Sequence, residues 1–361
     1  MKSTISLSLA IIAVFSSISL AHHGSNGQFD TSKNMQVSGT ITDIKFVNPH
    51  SYVYFDVSND EGSVDNWRCE LRAGSLLKRN GWTTDMFASG TKITIDGSPA
   101  RREEFGCFTK AITYEDGRVL TRFDVLNGDS NAAPIATVTK LANGIPSFAG
   151  NWAAPQRVPG AAGGMGAPTM GAPAMAPGGM GRGGASLYTK TDAGKAATED
   201  FVSEDNPRFH CQAVNIFHDW WFDQHVNTIE QTDNTIKITY GFMDIVRTIH
   251  LNMESHPNDI IPSRAGHSIG KWDGDTLIVD TIGFAEGYLD PRNGVKHSDA
   301  LHTVEKFSLS EDGKTLSISY TGDDEKFLVG TFSGSRDVLR TNAAFDPYEC
   351  EDLTEEIVEG F

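Results

Sequence analysis

The sequence predicts a mainly β protein. A small OB-like barrel is expected over residues 22–130, and an antiparallel β-barrel or sandwich over 209–351. Three observations carry this. Apolar and polar residues alternate with period two in many short runs, as in strands with one buried face. Turn residues such as Asp116-Gly117 and Asp273-Gly274-Asp275 separate the runs. Between the two sets of runs lies a Gly, Ala, Pro and Met segment whose composition cannot form a core.

The first 21 residues read as a signal peptide. Lys2 is their only charge, an apolar stretch runs from Ile5 to Leu20, and Ser19 and Ala21 form a small-x-small cleavage site. No later segment approaches the roughly 20 apolar residues of a spanning helix. A periplasmic or secreted protein without a membrane span is therefore expected. Loss of Lys2 takes the formal charge from −17 to −18. Such a surface argues against nucleic acid and anionic membranes as partners.

Strands follow at 37–45, 52–58, 66–71, 92–97, 108–114 and 121–126. Tyr52-Val53-Tyr54-Phe55 is aromatic and β-branched, as strands prefer. Leu76-Leu77-Lys78-Arg79-Asn80-Gly81 reads as a short helix closed by glycine. Strands with one helix in the middle suggest an OB-like barrel. Residues 153–187 are expected to be a flexible linker. Met165, Met170, Met175 and Met180 recur there every five residues. Thioethers suit Cu(I), although a slipped low-complexity repeat gives the same pattern.

In the C-terminal half, Ile236, Ile238, Tyr240 and Phe242 alternate with polar residues, as do Leu316, Ile318 and Tyr320. Glu311-Asp312-Gly313-Lys314 is a further hairpin turn. The four cysteines suit disulfides in an exported chain. The domain division favours Cys69–Cys107 and Cys211–Cys350, each within one domain. No Cys-x-x-Cys spacing supports zinc.

Alternation also places charges. Arg247 shares a face with Ile245, Ile249 and Leu251, and Glu305 with Thr303, Phe307 and Leu309. A buried charge is costly unless paired. The two pair with each other inside the barrel or line a ligand cavity, and a polar pair at a cavity wall can do both. Histidine-bearing loops surround these strands: Ser255-His256-Pro257, Gly266-His267-Ser268, and His297 to His302. Histidine suits proton transfer near neutral pH. The candidate catalytic set is His267, His297 and His302 as acid–base groups. Arg247 would hold a substrate oxygen, with Glu305 orienting it. Asp280, at the end of an apolar strand, would orient an imidazole. No Gly-x-Ser-x-Gly, P-loop or dinucleotide fingerprint is present, so no organic cofactor is implied.

Further motifs carry a resemblance. Ala21-His22-His23-Gly24, Gly39-Thr40-Ile41, Asn48-Pro49-His50, Trp67-Arg68-Cys69-Glu70-Leu71 and Gly81-Trp82 are similar to a family of exported bacterial proteins of unknown function. Its members typically open Ala-His-His-Ser and carry Asn-Pro-His before a strand; Gly24 stands here in place of the serine. The resemblance covers about 21–120. Gly266 to Leu277 and His297 to His302 resemble sequences that often accompany that domain. The resemblance implies domain boundaries and export, and no activity.

Cleavage after Ala21 would free the amine of His22. That amine, the His22 ring and either His50 or His23 form a candidate copper site; the bland reading is a frayed terminus. The leading functional expectation is an exported enzyme acting on a small organic substrate by proton transfer or hydrolysis at the mouth of the C-terminal barrel. The alternatives are a copper-binding protein and a non-catalytic ligand-binding protein.

Overall fold

The computed structural model describes residues 28–59, 62–126, 138–155, 188–202, 205–220, 225–291 and 293–351. The expected signal peptide, His22, His23 and most of the expected linker lie outside them.

The first barrel contains β1 (Met35–Lys45), β2 (Tyr52–Ser58), β3 (Val64–Glu70), helix α1 (Gly74–Arg79), β4 (Lys92–Pro99), β5 (Gly106–Tyr114) and β6 (Val119–Thr121). The strand order is β3-β2-β1-β4-β5-β6, and a parallel pairing of β3 with β5 closes five strands into a ring. With its helix between the third and fourth strands, this is the OB-like barrel expected. Cys69 and Cys107 are direct partners across the closing pair and form a disulfide. The last strand is displaced from the expected 121–126. The chain turns after Thr121 because Asp124 accepts hydrogen bonds from its backbone N–H (2.8 Å) and its hydroxyl (2.5 Å). Arg122 then reaches Glu70, 3.1 Å away and buried.

The second barrel is a closed ring of nine strands. They are β7 (Gly150–Ala153), β8 (Val226–Gln231), β9 (Thr235–Thr239), β10 (Val246–His250), β11 (His267–Asp273), β12 (Thr276–Ile282), β15 (His302–Leu309), β16 (Thr315–Asp323) and β17 (Thr331–Thr341). A side hairpin, β13 (Gly287–Asp290) with β14 (Val295–His297), projects between β12 and β15. Of the expected alternatives, barrel and sandwich, this is the barrel. Its first strand comes from residues 150–153, at the start of the expected linker and including its first residue, and pairs with both β17 and β8. A start at 209 omits it, because four residues around Trp152 are too few to show alternation.

The odd strand count has a consequence. Each antiparallel neighbour reverses direction, and nine reversals cannot return a ring to its starting direction. One parallel pair is required, and it is β10 with β11. Parallel neighbours need a crossover connection. Residues 251–266 provide it and carry His256 and Arg264 past the outside of the barrel.

Apolar side chains line much of the interior. Trp152, Ile238, Tyr240, Ile249, Leu277, Val279, Phe307 and Leu316 belong to one buried cluster. The Trp152 indole N–H donates to the Phe148 carbonyl at 2.8 Å. Cys211–Cys350 spans 139 residues of this half. Asn48, from the Asn-Pro-His motif, joins the two barrels: its side-chain N–H donates to the Tyr348 carbonyl (2.5 Å), and its carbonyl oxygen accepts from the Ser75 hydroxyl (3.0 Å). His225 packs at the same seam, 3.3 Å from the Ser75 hydroxyl.

Candidate functional site

Strand parity divides the sequence-predicted residues into groups. Arg247 on β10 and Glu305 on β15 point inward and are 1% exposed. They form an ion pair with each other. Arg247 also donates from Nε to Ser268 and from Nη2 to Thr281, both at 2.9 Å. Burial disfavours the guanidinium charge, but the carboxylate of Glu305 outweighs it and raises the Arg247 pKa. These contacts hold Arg247 and Glu305 to each other and to the barrel wall, and the Arg247 Nη1 is buried with no hydrogen bond of its own among the described residues. The mutual pair expected from the sequence is formed.

His267, Asp280 and His302 point the other way, onto the outer face near one rim of the barrel. His267 lies opposite Ile282, and His302 opposite Asp323 on β16. Ile282 follows directly after the Thr281–Thr303 pair, so it lies between the two histidines. Two strand spacings put their backbones roughly 10 Å apart. Half-buried Ile269, Ile282 and Val304 share this face.

A chain of side-chain contacts crosses this floor. His267 Nδ1 is 2.8 Å from His256 Nδ1, His256 Nε2 is 2.9 Å from Asp280 Oδ1, and Asp280 Oδ2 is 3.0 Å from His302 Nε2. His302 Nδ1 then faces Asp323 Oδ1 at 3.4 Å. His250, the last residue of β10, stacks on His267 with ring centroids 5.1 Å apart. An ionised Asp280 accepts only, so both Nε2 atoms facing it carry hydrogen. Neutral His256 then holds its lone pair on Nδ1 and accepts Nδ1–H from His267. That leaves Nε2 of His267 as the basic nitrogen.

The two ends of the chain sit in opposite environments. Burial, followed by the neighbouring His256 and His250, lowers the His267 pKa. Burial also works against the charge of His302, but hydrogen bonding and attraction to Asp280, then Asp323, outweigh it and raise its pKa. Asp280 is lowered: its two histidine partners outweigh its partial burial.

His297 is not part of this group. It ends β14, is 3% exposed, and donates Nδ1–H to the Ser298 carbonyl at 3.0 Å. Of the copper candidates, only His50 lies among the described residues, with Nδ1 at 3.3 Å from the buried Glu70 carboxylate. Among the described residues, no three His, Cys, Asp or Glu side chains are grouped to hold a metal ion.

The sequence reading named the loop of His256 without assigning it a role, and it missed His250 and Asp323. Parity would have found the latter two, since His250 shares the outward phase of Val246 and Thr248. His256 sits on an irregular crossover, and only the parallel pairing explains its position.

Residues 10–108 match a family model described as a family of unknown function (DUF6152). No curated protein matches the chain. Among solved structures, the crystal structure of a mutant of the fluorescent protein UnaG is similar over 38% of this chain and 88% of that one, at 15% identity and a TM-score of 0.22. A likeness that low carries no argument. No helix among the described residues is long and apolar enough to cross a membrane.

Proposed function

We propose that the protein is an exported enzyme that transfers protons to and from a small organic substrate on the outer face of the C-terminal barrel. His267 is the base and His302 the acid. The observation that carries this reading is the pair of opposed environments at the two ends of one hydrogen-bonded chain. Environments that push two titratable groups apart assign a base and an acid. His267 accepts a proton at Nε2, and His302 donates its Nδ1 proton, the substrate taking the place of Asp323 Oδ1 at 3.4 Å while Nε2–H stays on Asp280. Asp280 and His256 position both rings. Arg247 and Glu305 tie the strands beneath from inside and do not touch substrate. The apolar leader and two disulfides support export.

General acid–base catalysis of this kind contributes about 10²–10⁴-fold. The test probe is 4-nitrophenyl acetate, whose hydrolysis an imidazole base promotes. The rate should follow a bell-shaped pH profile, rising as His267 deprotonates and falling as His302 does. His267→Gln should lower the rate at least tenfold and remove the acid-side limb. Asp280→Asn should lower it while leaving the fold intact. Equal rates for His267→Gln and the unaltered protein at every pH would end this reading.

A further inference from the structure

A second group of side chains converges on the far side of the crossover, at the β13–β14 hairpin. A cleft of about 190 Å³ opens there between the 205–212 segment, Arg264 and the hairpin. That volume is below the roughly 300 Å³ at which drug-sized pockets begin, so it suits a ligand of a few heavy atoms. Gly287 forms part of its wall. A Cβ at Gly287 would stand 3.0 Å from His297 Nε2 and 3.5 Å from Arg264 Nη1. His297 Nε2 and Arg264 Nη1 therefore flank Gly287, and the missing side chain leaves both groups open to the same part of the cleft.

Each group has capacity to spare. His297 Nδ1 is committed to the Ser298 carbonyl. In the neutral ring this makes Nε2 a lone-pair acceptor, and no protein group among the described residues bonds it. Burial, together with the charge of Arg264, outweighs the Ser298 carbonyl and Asp324 and keeps the ring toward its neutral form. Arg264 makes a single long hydrogen bond, Nη1 to the Val214 carbonyl at 3.4 Å, and has no ion-pair partner among the described residues. Asp205 and Glu286 line the same cleft, but among the described residues neither comes within ion-pair distance of Arg264. Lys296 adds a second cation to the wall, with Glu286 at 3.8 Å as its loose counter-ion.

We infer that this cleft is a ligand site for a small oxyanion carrying one O–H group. Arg264 takes the negative charge, and His297 Nε2 accepts the hydrogen. Guanidinium recognises carboxylate and phosphate alike through its planar donor fork. Hydrogen phosphate and a short hydroxy acid share the required chemistry. A fully deprotonated anion without a donor leaves His297 Nε2 unmatched. The site is separate from the acid–base chain on the outer face and stands or falls independently of it.

The probes are inorganic phosphate and glycolate, titrated into the full chain at fixed ionic strength. Calorimetry gives the affinity, and the ¹⁵N shift of His297 Nε2 reports contact. Saturable binding of either probe that moves this nitrogen is expected, and which probe binds more tightly distinguishes the two sources. Arg264→Gln should weaken binding at least tenfold. Gly287 lies outside the left-handed backbone region, so Gly287→Ala is compatible with the chain path. Its methyl group should crowd His297 Nε2 and Arg264 Nη1 and weaken binding by a similar factor. Acetate, which lacks the hydroxyl, should bind at least fivefold more weakly than glycolate. Failure of both probes to saturate, or binding unchanged in Arg264→Gln, overturns the inference. So does binding that leaves the His297 nitrogen unmoved.

Discussion

Acidification should loosen the seam between the two barrels through His225. This imidazole is 3% exposed and lies between Phe242 and Tyr348, with ring centroids 5.4 and 4.8 Å away. Burial first, then the charges of Arg79 and Arg208, pushes its pKa from 6.5 down to about 3. The unfolded chain therefore binds a proton at mildly acidic pH that the folded chain refuses. Stability from this group is fully present above pH 6.5 and is lost as pH falls from there toward 3. Each pH unit inside that window is worth about 1.4 kcal/mol, so the loss between pH 7 and pH 5 is about 2 kcal/mol. Urea unfolding at both pH values measures it, with His225→Asn as the comparison. Asparagine can keep the bond to Ser75 but cannot titrate. The unaltered protein should lose about 2 kcal/mol more than the variant over that interval. The same loss in both proteins would refute the assignment, as would an NMR titration placing His225 near its ordinary value.

The inward ion pair gives a prediction with a built-in control. Arg247→Met should destabilise by about 3–5 kcal/mol, because it strands the Glu305 carboxylate, whereas Arg247→Met with Glu305→Leu should recover most of that in urea unfolding. Removing Cys211–Cys350 by double alanine substitution should lower stability by up to about 5 kcal/mol on the chain-entropy model, since it closes a loop of 139 residues; denaturant midpoints check this. Gly39→Ala should cost about 1–3 kcal/mol, visible as a lower melting temperature. Its Cβ would stand 2.5 Å from the Asp56 carbonyl oxygen and 2.7 Å from the Phe55 ring, across the β1–β2 pair.

Much of the fold was legible because period two is a local property. Ile236, Ile238, Tyr240 and Phe242 are all buried, as their alternation requires. The two disulfides followed from the domain division. Two features were not legible. The contribution of β7 to the barrel comes from outside the expected boundaries. The parallel β10–β11 pair depends on the number of strands in the ring, which no single segment records. The Asn-Pro-His motif shows the same limit. Its spacing before a strand invited a metal role for His50, yet Asn48 carries the visible work by bonding Tyr348 across the seam while Ser75 of its own barrel holds it.

The candidate site was half legible, for a reason contained in the alternation itself. Glu305 and His302 are three apart on one strand, and an odd separation puts them on opposite faces. The same holds for Arg247 and His250 on β10. A constellation uniting Arg247, Glu305, His267 and His302 is therefore excluded by parity alone. Parity keeps His267, Asp280 and His302 together, because β11, β12 and β15 present them in one outward phase across neighbouring strands. What it cannot supply is the link between them. Among the described residues, His267 and Asp280 are joined through His256, which arrives on the crossover demanded by an odd-numbered ring. That same crossover ends at Arg264, which faces His297 across Gly287. Both chemical groupings thus trace to one topological requirement. Shortening 251–266 should disturb both at once, together with the parallel β10–β11 pair that it connects.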